Sequence, residues 1–333
     1  NTDGYIGDQL GSTGVATVTS AGSHWNNSND LYVGKSGNGT LNVTDGGVVS
    51  NTFGYLGYSS DSTGIATVTG AGSQWNSSNS LYIGGDDSQA GGSGTLNLSD
   101  SGLVVVTGTT KLWSTGTINL HGGSLTTGSF DNSESGAFDF DDGTLRVNGA
   151  GGVFHPGTDD FTIDGPAPTD QPELVIAGTA TATLSGDLRV GNANQGALTV
   201  EDGGVVSNTD GYLGYELGST GVVTVTGSGS RWNNSDQLAV GDEGSGTLNV
   251  RYGGVVSNTD GYISNSSDSV GTVTVTGEGS EWNNSSYLYV GYSSGEGALN
   301  ISDGGVVNVA GTTTLNNSTL HIELSDPTSG PSL

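Results

Sequence analysis

The stretch Asp45–Asn51, DGGVVSN, returns as Asp202–Asn208 and, with its first residue changed, as Tyr252–Asn258. Around it lies a unit of 50 residues, since Trp25 recurs at Trp75 and Trp232 at Trp282. The unit divides again, because Gly14–Gly34 and Gly39–Gly57 each hold a strand, a glycine turn, an Asn and a strand closing on Gly. The underlying repeat is a coil of about 25 residues, a length typical of stacked repeat architectures.

The strands announce themselves by alternation. In GVATV (14–18), GTLNV (39–43), GIATV (64–68) and GTLNL (94–98), the residues Ala16 and Val18, Leu41 and Val43, Ala66 and Val68, and Leu96 and Leu98 share one face. Thr17, Asn42, Thr67 and Asn97 take the other, so the apolar column fills a dry core and the Thr/Asn column faces water or ladders along the stack. A coil of three short strands cannot bury its apolar face alone; stacking at ~4.8 Å per coil continues the core. The expectation is an all-β, right-handed parallel β-helix (solenoid) of ~25-residue coils, about 13 coils, some 60 Å long at that spacing. The rival architecture, a propeller, needs ~40–50 residues and four antiparallel strands per blade.

Four regions follow. Residues 1–106 form a first array; 107–187 keep the glycine-strand texture but lose the phase; 188–310 form a second array; 311–333 begin a further irregular segment. Four of the 6 prolines (Pro156, Pro166, Pro168, Pro172) sit in the middle segment, which predicts a loop bulging near 155–172. GSTGV at 11–15 matches GSTGV at 218–222, and GTTKL at 108–112 matches GTTTL at 311–315, so the array reads as duplicated in block. Both ends fall in mid-pattern and are expected to be cut from a longer chain.

Composition narrows function. With 34 acidic against 6 basic residues the formal charge is −28, which argues against a nucleic-acid or anionic-membrane surface. No apolar run approaches the ~18 residues that span a bilayer. Cys and Met are both absent, which fits an exterior location. Acidic surfaces recruit Ca²⁺, yet no run matches a calcium-binding coil or an EF-hand loop, and no cofactor is expected.

The combination LYVG/GYLG, GTLNVxDGGVVSN and GSxWNNS, over about two thirds of the chain, resembles the type V secretion and PEP-CTERM-associated repeat family of bacterial surface or secreted proteins. The resemblance implies a right-handed parallel β-helix like that of autotransporter passengers, displayed outside the cell. The family brings no common catalytic residues, and neither a C-terminal sorting signal nor a membrane β-barrel is present to match it.

Candidate sites are few. Trp25, Trp75, Trp232 and Trp282 suggest sugar-stacking platforms, but His24, Gln74, Arg231 and Glu281 precede them, a mixture that must face water and so turns each Trp inward. Asn51, Asn208 and Asn258, with the Asn residues after each Trp, are expected to form an amide ladder at a coil corner rather than glycan acceptors. His24, His121, His155 and His321 show no metal-ligand spacing. The most enzyme-like group is Asp139, Asp141, Asp142, Arg146, His155, Asp159 and Asp160, although FDFDD also reads as a plain strand with its acids outward.

The remaining column is aromatic: Tyr5, Tyr32, Tyr55, Tyr82, Tyr212, Tyr262 and Tyr289, once per coil, with Arg189 and Ala239 at equivalent positions. An Arg there requires the column to face outward, where the rings self-stack with Arg189 over Tyr212 or form a strip for lateral packing or a glycan. The sequence therefore reads as an extracellular structural or adhesive protein, with self-association or surface glycans as its partners and no reaction of its own. The alternatives are a glycan-active β-helix enzyme and a calcium-dependent matrix protein.

Overall fold

The computed structural model describes residues 1–323 and is a parallel β-solenoid of about 13 turns. The end of the 311–333 segment lies outside the described residues. Two compact units divide the chain: Asn1–Asp159 with Asp170–Ala182, and Asp160–Thr169 with residues from Thr183 onward.

In the first unit a full coil has three strands, as in Asn38–Thr44, Val48–Asn51 and Gly54–Leu56. Each pairs in parallel with its counterpart one coil away: Thr13 lies opposite Asn38 and Asn38 opposite Thr63, 25 residues on each time. The same register governs the second unit, where Gln195, Thr220, Ser245 and Val270 stand in one row. Such pairing leaves the alternation intact from coil to coil, so Leu41, Val43, Ala66 and Val68 are fully buried while Thr17, Asn42 and Thr67 stay on the outside.

The phase shift after 106 has a local cause. Gly116–Asp131 runs as one strand through what are two strands and a turn elsewhere, and Ala137–Val147 follows it. Coils shorten accordingly, Thr117 pairing with Ala137 only 20 residues on. The proline-bearing stretch is not one continuous loop: Phe161–Ile163 forms a strand paired with Leu188–Val190 inside the second unit. Phe161 and Ile163 keep the alternation that puts them on one side of the strand, which the prolines flanking it do not interrupt. A single 3₁₀ turn, Tyr292–Ser294, is the one helical element among the described residues.

The turn within DGGVVSN explains its own composition. Asp45 and Gly46 both have positive φ (52° and 88°), and the N–H of Gly47 donates to the carbonyl of Thr44 at 3.0 Å. A tight turn with two left-handed central residues favours Asp-Gly. Gly47 is required for a second reason, since a Cβ there would meet the carbonyl oxygen of Val18 at 2.2 Å.

The 50-residue period, twice the coil, comes from the tryptophans. Trp75 stands between Val49 and Val104, and Trp232 and Trp282 flank Val256, so large and small residues alternate up the core. Each indole needs space on the neighbouring strand of the preceding coil. That space is a glycine: a Cβ at Gly54, Gly211 or Gly261 would lie 3.0, 2.8 or 2.9 Å from the ring of Trp75, Trp232 or Trp282. Hence the alternation of LYVG with GYLG, in which Gly54 faces Leu31 on one side and Leu81 on the other. Burying one indole removes ~150–250 Å² from water, on the order of 4–6 kcal/mol at ~25 cal/mol/Å² as an upper bound.

Candidate functional site: an outward tyrosine column

The strands Gly4–Ile6, Leu31–Val33, Gly54–Leu56 and Leu81–Ile83 each carry a Tyr between two inward residues. Their register sets Tyr5, Tyr32, Tyr55 and Tyr82 directly over one another. The rings stack at centroid distances of 5.2, 4.6 and 5.3 Å with interplanar angles of 8°, 6° and 16°. Tyr58 meets Tyr32 and Tyr55 edge-on, and the Lys35 ammonium lies 4.4 Å from the centre of the Tyr5 ring. On the opposite flank the Tyr32 hydroxyl donates to Asp30 at 3.2 Å.

Beyond Tyr82 the same column continues with residues that the aromatic pattern does not reveal. Lys111 pairs with Tyr82, Asp131 with Lys111 and His155 with Asp131. Lys111 Nζ contacts Asp131 at 2.8 Å and Ser133 at 2.9 Å, and lies over Trp113. Burial raises the Asp131 carboxyl, but the hydrogen bonds from Lys111 and Ser133 outweigh it and hold it below the usual range. A shallow hollow of about 370 Å³ opens beside this charged end, lined by Phe130, Asp131, Val153 and His155 among others.

In the second unit the column runs Thr162, Arg189, Tyr212, Ala239, Tyr262, Tyr289 and Thr314. The Arg189 guanidinium lies 5.7 Å from the Tyr212 ring and 5.1 Å from Tyr215, held by Asp187 at 2.8 Å and Asp160 at 3.5 Å. Ala239 interrupts the stack, and Tyr262 and Tyr289 resume it at 5.2 Å with Tyr292 against both.

Electrostatics follow from this crowding. Burial, then the Asp30 charge, pushes the Tyr32 and Tyr55 phenols well above their ordinary range. Burial likewise pushes Tyr212 up to about 12, and Tyr262 rises through burial and the charge of Asp260. The phenols stay protonated at any physiological pH. Because neighbouring rungs cover the faces of interior rings, the column presents ring edges and hydroxyls beside carboxylates, chemistry suited to hydrogen bonding rather than to flat stacking on a sugar.

The other candidates sort themselves by face. Trp75, Trp232 and Trp282 are fully buried, while Trp25 in the first coil is half-buried. Their indole N–H groups donate to Asn51, Asn208 and Asn258 at 2.6, 2.7 and 2.7 Å. The same amides pass a bond onward, Asn208 to Asn234 at 2.8 Å and Asn258 to Asn284 at 2.7 Å, so the Asn ladder also anchors the tryptophans.

The acidic group of the middle segment does not assemble as one site. His155 lies in the tyrosine column, Asp160 holds Arg189, and Asp142 accepts from the backbone N–H of Gln171 at 3.2 Å. Asp139 and Asp141 instead meet His121, which the chain spacing hides because it lies one short coil away: His121 Nδ1 is 2.8 Å from Asp141 and Nε2 3.9 Å from Asp139. Burial and then Asp139 raise the Asp141 carboxyl, against the pull of His121, and the charge of Asp170 adds to the rise.

No protein-family model matches the chain, and no curated protein matches it. Among solved structures it is similar to the crystal structure of a TibC-catalyzed hyper-glycosylated TibA fragment, at 18% identity and a TM-score of 0.29, over 97% of this chain and 98% of that one. Fold and site together define a parallel β-solenoid that displays an outward tyrosine column. Among the described residues no helix is long and apolar enough to cross a membrane.

Proposed function

We propose that the chain is an extracellular or cell-surface structural and adhesive protein whose tyrosine column is its lateral contact surface. The reading rests first on the column itself: four rungs stacked on one face, half-exposed, flanked by Lys35 and Asp30, with hydroxyls and ring edges outward. Tyrosine suits such a role because it combines a rigid apolar body with a hydrogen-bonding tip. The charge of −28 and the absence of Cys and Met support an exterior setting, as does the resemblance of the repeat motifs to exported bacterial proteins.

Partners are then a second copy of the chain, through its own column, or a surface glycan that hydrogen-bonds along it. Replacing Tyr32, Tyr55 and Tyr82 together by Ser tests the proposal by melting temperature, sedimentation and glycan-array binding. Loss of association or glycan binding in a chain that still melts cooperatively supports a contact surface. A lower melting temperature with association and binding unchanged leaves the column a purely stabilising device and rejects the proposal.

A further inference from the structure

We infer that a groove crossing four coils of the first unit binds a neutral, linear polysaccharide, laid along the stack rather than along a strand. The groove holds about 360 Å³ and is walled by residues 27–28, 50–52 and 76–78 with Val105 and Thr107, one group from each successive coil. At ~4.8 Å per coil it runs for about 14 Å. In a chain of net charge −28, every residue that lines it is uncharged.

Its lining falls into a fixed part and a free part. Asn51 accepts from the Trp75 indole and donates to Ser77 at 3.0 Å, Ser50 donates to Asn26 at 2.9 Å, and Thr52 donates to the carbonyl of Ser28 at 3.1 Å. These bonds tie the wall to the ladder and hold it in place before any ligand arrives. The side chains of Asn76, Ser78 and Thr107, by contrast, bond to no other group of the chain among the described residues. One wall residue also lacks a partner inside: Asn27 is 4% exposed, yet its Oδ1 accepts no hydrogen bond. At the equivalent places Asn234 and Asn284 accept from Asn208 and Asn258. A buried carbonyl without a donor is costly, and it lies where a ligand hydroxyl would supply one.

Two local departures from the repeat open the space. Ser77 stands where the other tryptophan coils carry Asn27, Asn234 and Asn284, and the shorter side chain leaves room. At the far end the register against Gly116–Asp131 slips between Val106 and Thr109, so Thr107 sits in a bulge, a device that re-aims side chains.

Chemistry then selects the ligand. Hydroxyls and amides both donate and accept, as sugar hydroxyls do. With no cation in the groove and a strongly negative chain around it, an acidic polysaccharide is repelled. An extended peptide recognised by its backbone needs an unpaired strand edge. None is offered here, because Gln74–Ser77 is paired with Val48–Asn51 on one side and Leu103–Leu112 on the other. None of the tyrosines of the outward column lines the groove, so the inference stands apart from the proposed contact surface.

The test is affinity electrophoresis of the full chain through native gels containing glucomannan, hydroxyethyl cellulose or, as the acidic counterpart, polygalacturonate. The groove predicts retardation by at least one of the two neutral polymers and none by polygalacturonate. Asn76→Ala and Thr107→Ala should each weaken retention about fivefold, the usual worth of one hydrogen bond, and together remove it. Their melting temperatures should match wild type, since neither side chain bonds within the chain; were the double variant to misfold, Asn76→Ala with Ser78→Ala would take its place. Migration unchanged in both neutral gels overturns the inference, as does retardation by polygalacturonate alone. So does retention that survives the groove variants but is lost when Tyr32, Tyr55 and Tyr82 become Ser, because the glycan then lies on the column.

Discussion

The indole Nε1 of Trp232 donates to Oδ1 of Asn208 at 2.7 Å, and both residues are buried. Asn208 at the same time gives its amide proton to Asn234, so one side chain satisfies two others on the facing strand of the next coil. Asn208→Leu removes the acceptor from a sealed donor and should cost ~1–3 kcal/mol in urea unfolding. Adding Trp232→Phe should recover part of the loss, because no orphaned N–H then remains; additive losses would show that the bond is not what Asn208 contributes.

Tyr252 holds the turn position that Asp45 and Asp202 occupy elsewhere, at φ 53°. A bulky side chain in the left-handed region is strained, and the ring is 72% exposed, so packing offers little in return. Tyr252→Asn should stabilise the chain by about 1 kcal/mol. The converse change, Asp202→Tyr, should cost a similar amount, both read from denaturant midpoints.

Asp242 has its carboxyl raised by burial, which its hydrogen bond from Asn265 at 2.6 Å only partly offsets. A carboxyl raised in the folded state binds its proton more tightly there than in the unfolded chain. Stability therefore falls as pH rises from the unfolded value through the folded one. Asp242→Asn should raise the melting temperature at pH 7, with the gain shrinking as pH drops toward the ordinary carboxyl range. A gain independent of pH would assign the effect to something other than ionisation.

Val250 is fully buried and Thr274, in the adjacent coil, points outward. An Asp at 250 would have no partner in a dry core, a cost of several kcal/mol even after it takes up a proton, whereas Thr274→Asp should stay within about 0.5 kcal/mol. Limited proteolysis should find new cuts in the coils next to residue 250 and none next to 274.

Much of this was legible in the chain because a stacked coil repeats its neighbours. Alternation in GTLNV (246–250) and GTVTV (271–275) was enough to assign Val250 inward and Thr274 outward, and the mixed residues before each Trp were enough to bury the ring. Relations between coils were harder. The Trp232–Asn208 bond spans 24 residues and needs the register to be seen. In the middle segment the coil length itself changes, so His121 could not be placed beside Asp139 and Asp141 without knowing that one coil there is 20 residues long. The extension of the tyrosine column left one usable trace: Thr110-Lys111-Leu112 aligns with Leu81-Tyr82-Ile83 once GTTKL is read as a strand start.

The glycine that receives each indole makes the pair of coils, not the coil, the module that can be gained or lost. Excising 50 residues, Val205–Gly254, would join Gly204 to Val255 and bring an equivalent VVSN strand, Gly261 and Trp282 into the vacated places. Excising only the coil that carries Val256 and Gly261 would set Trp282 directly on Trp232, with Leu238 where the ring needs a glycine. Recombination between such repeats is therefore filtered by side-chain volume: changes of length by even numbers of coils are silent to the core, and odd ones are not.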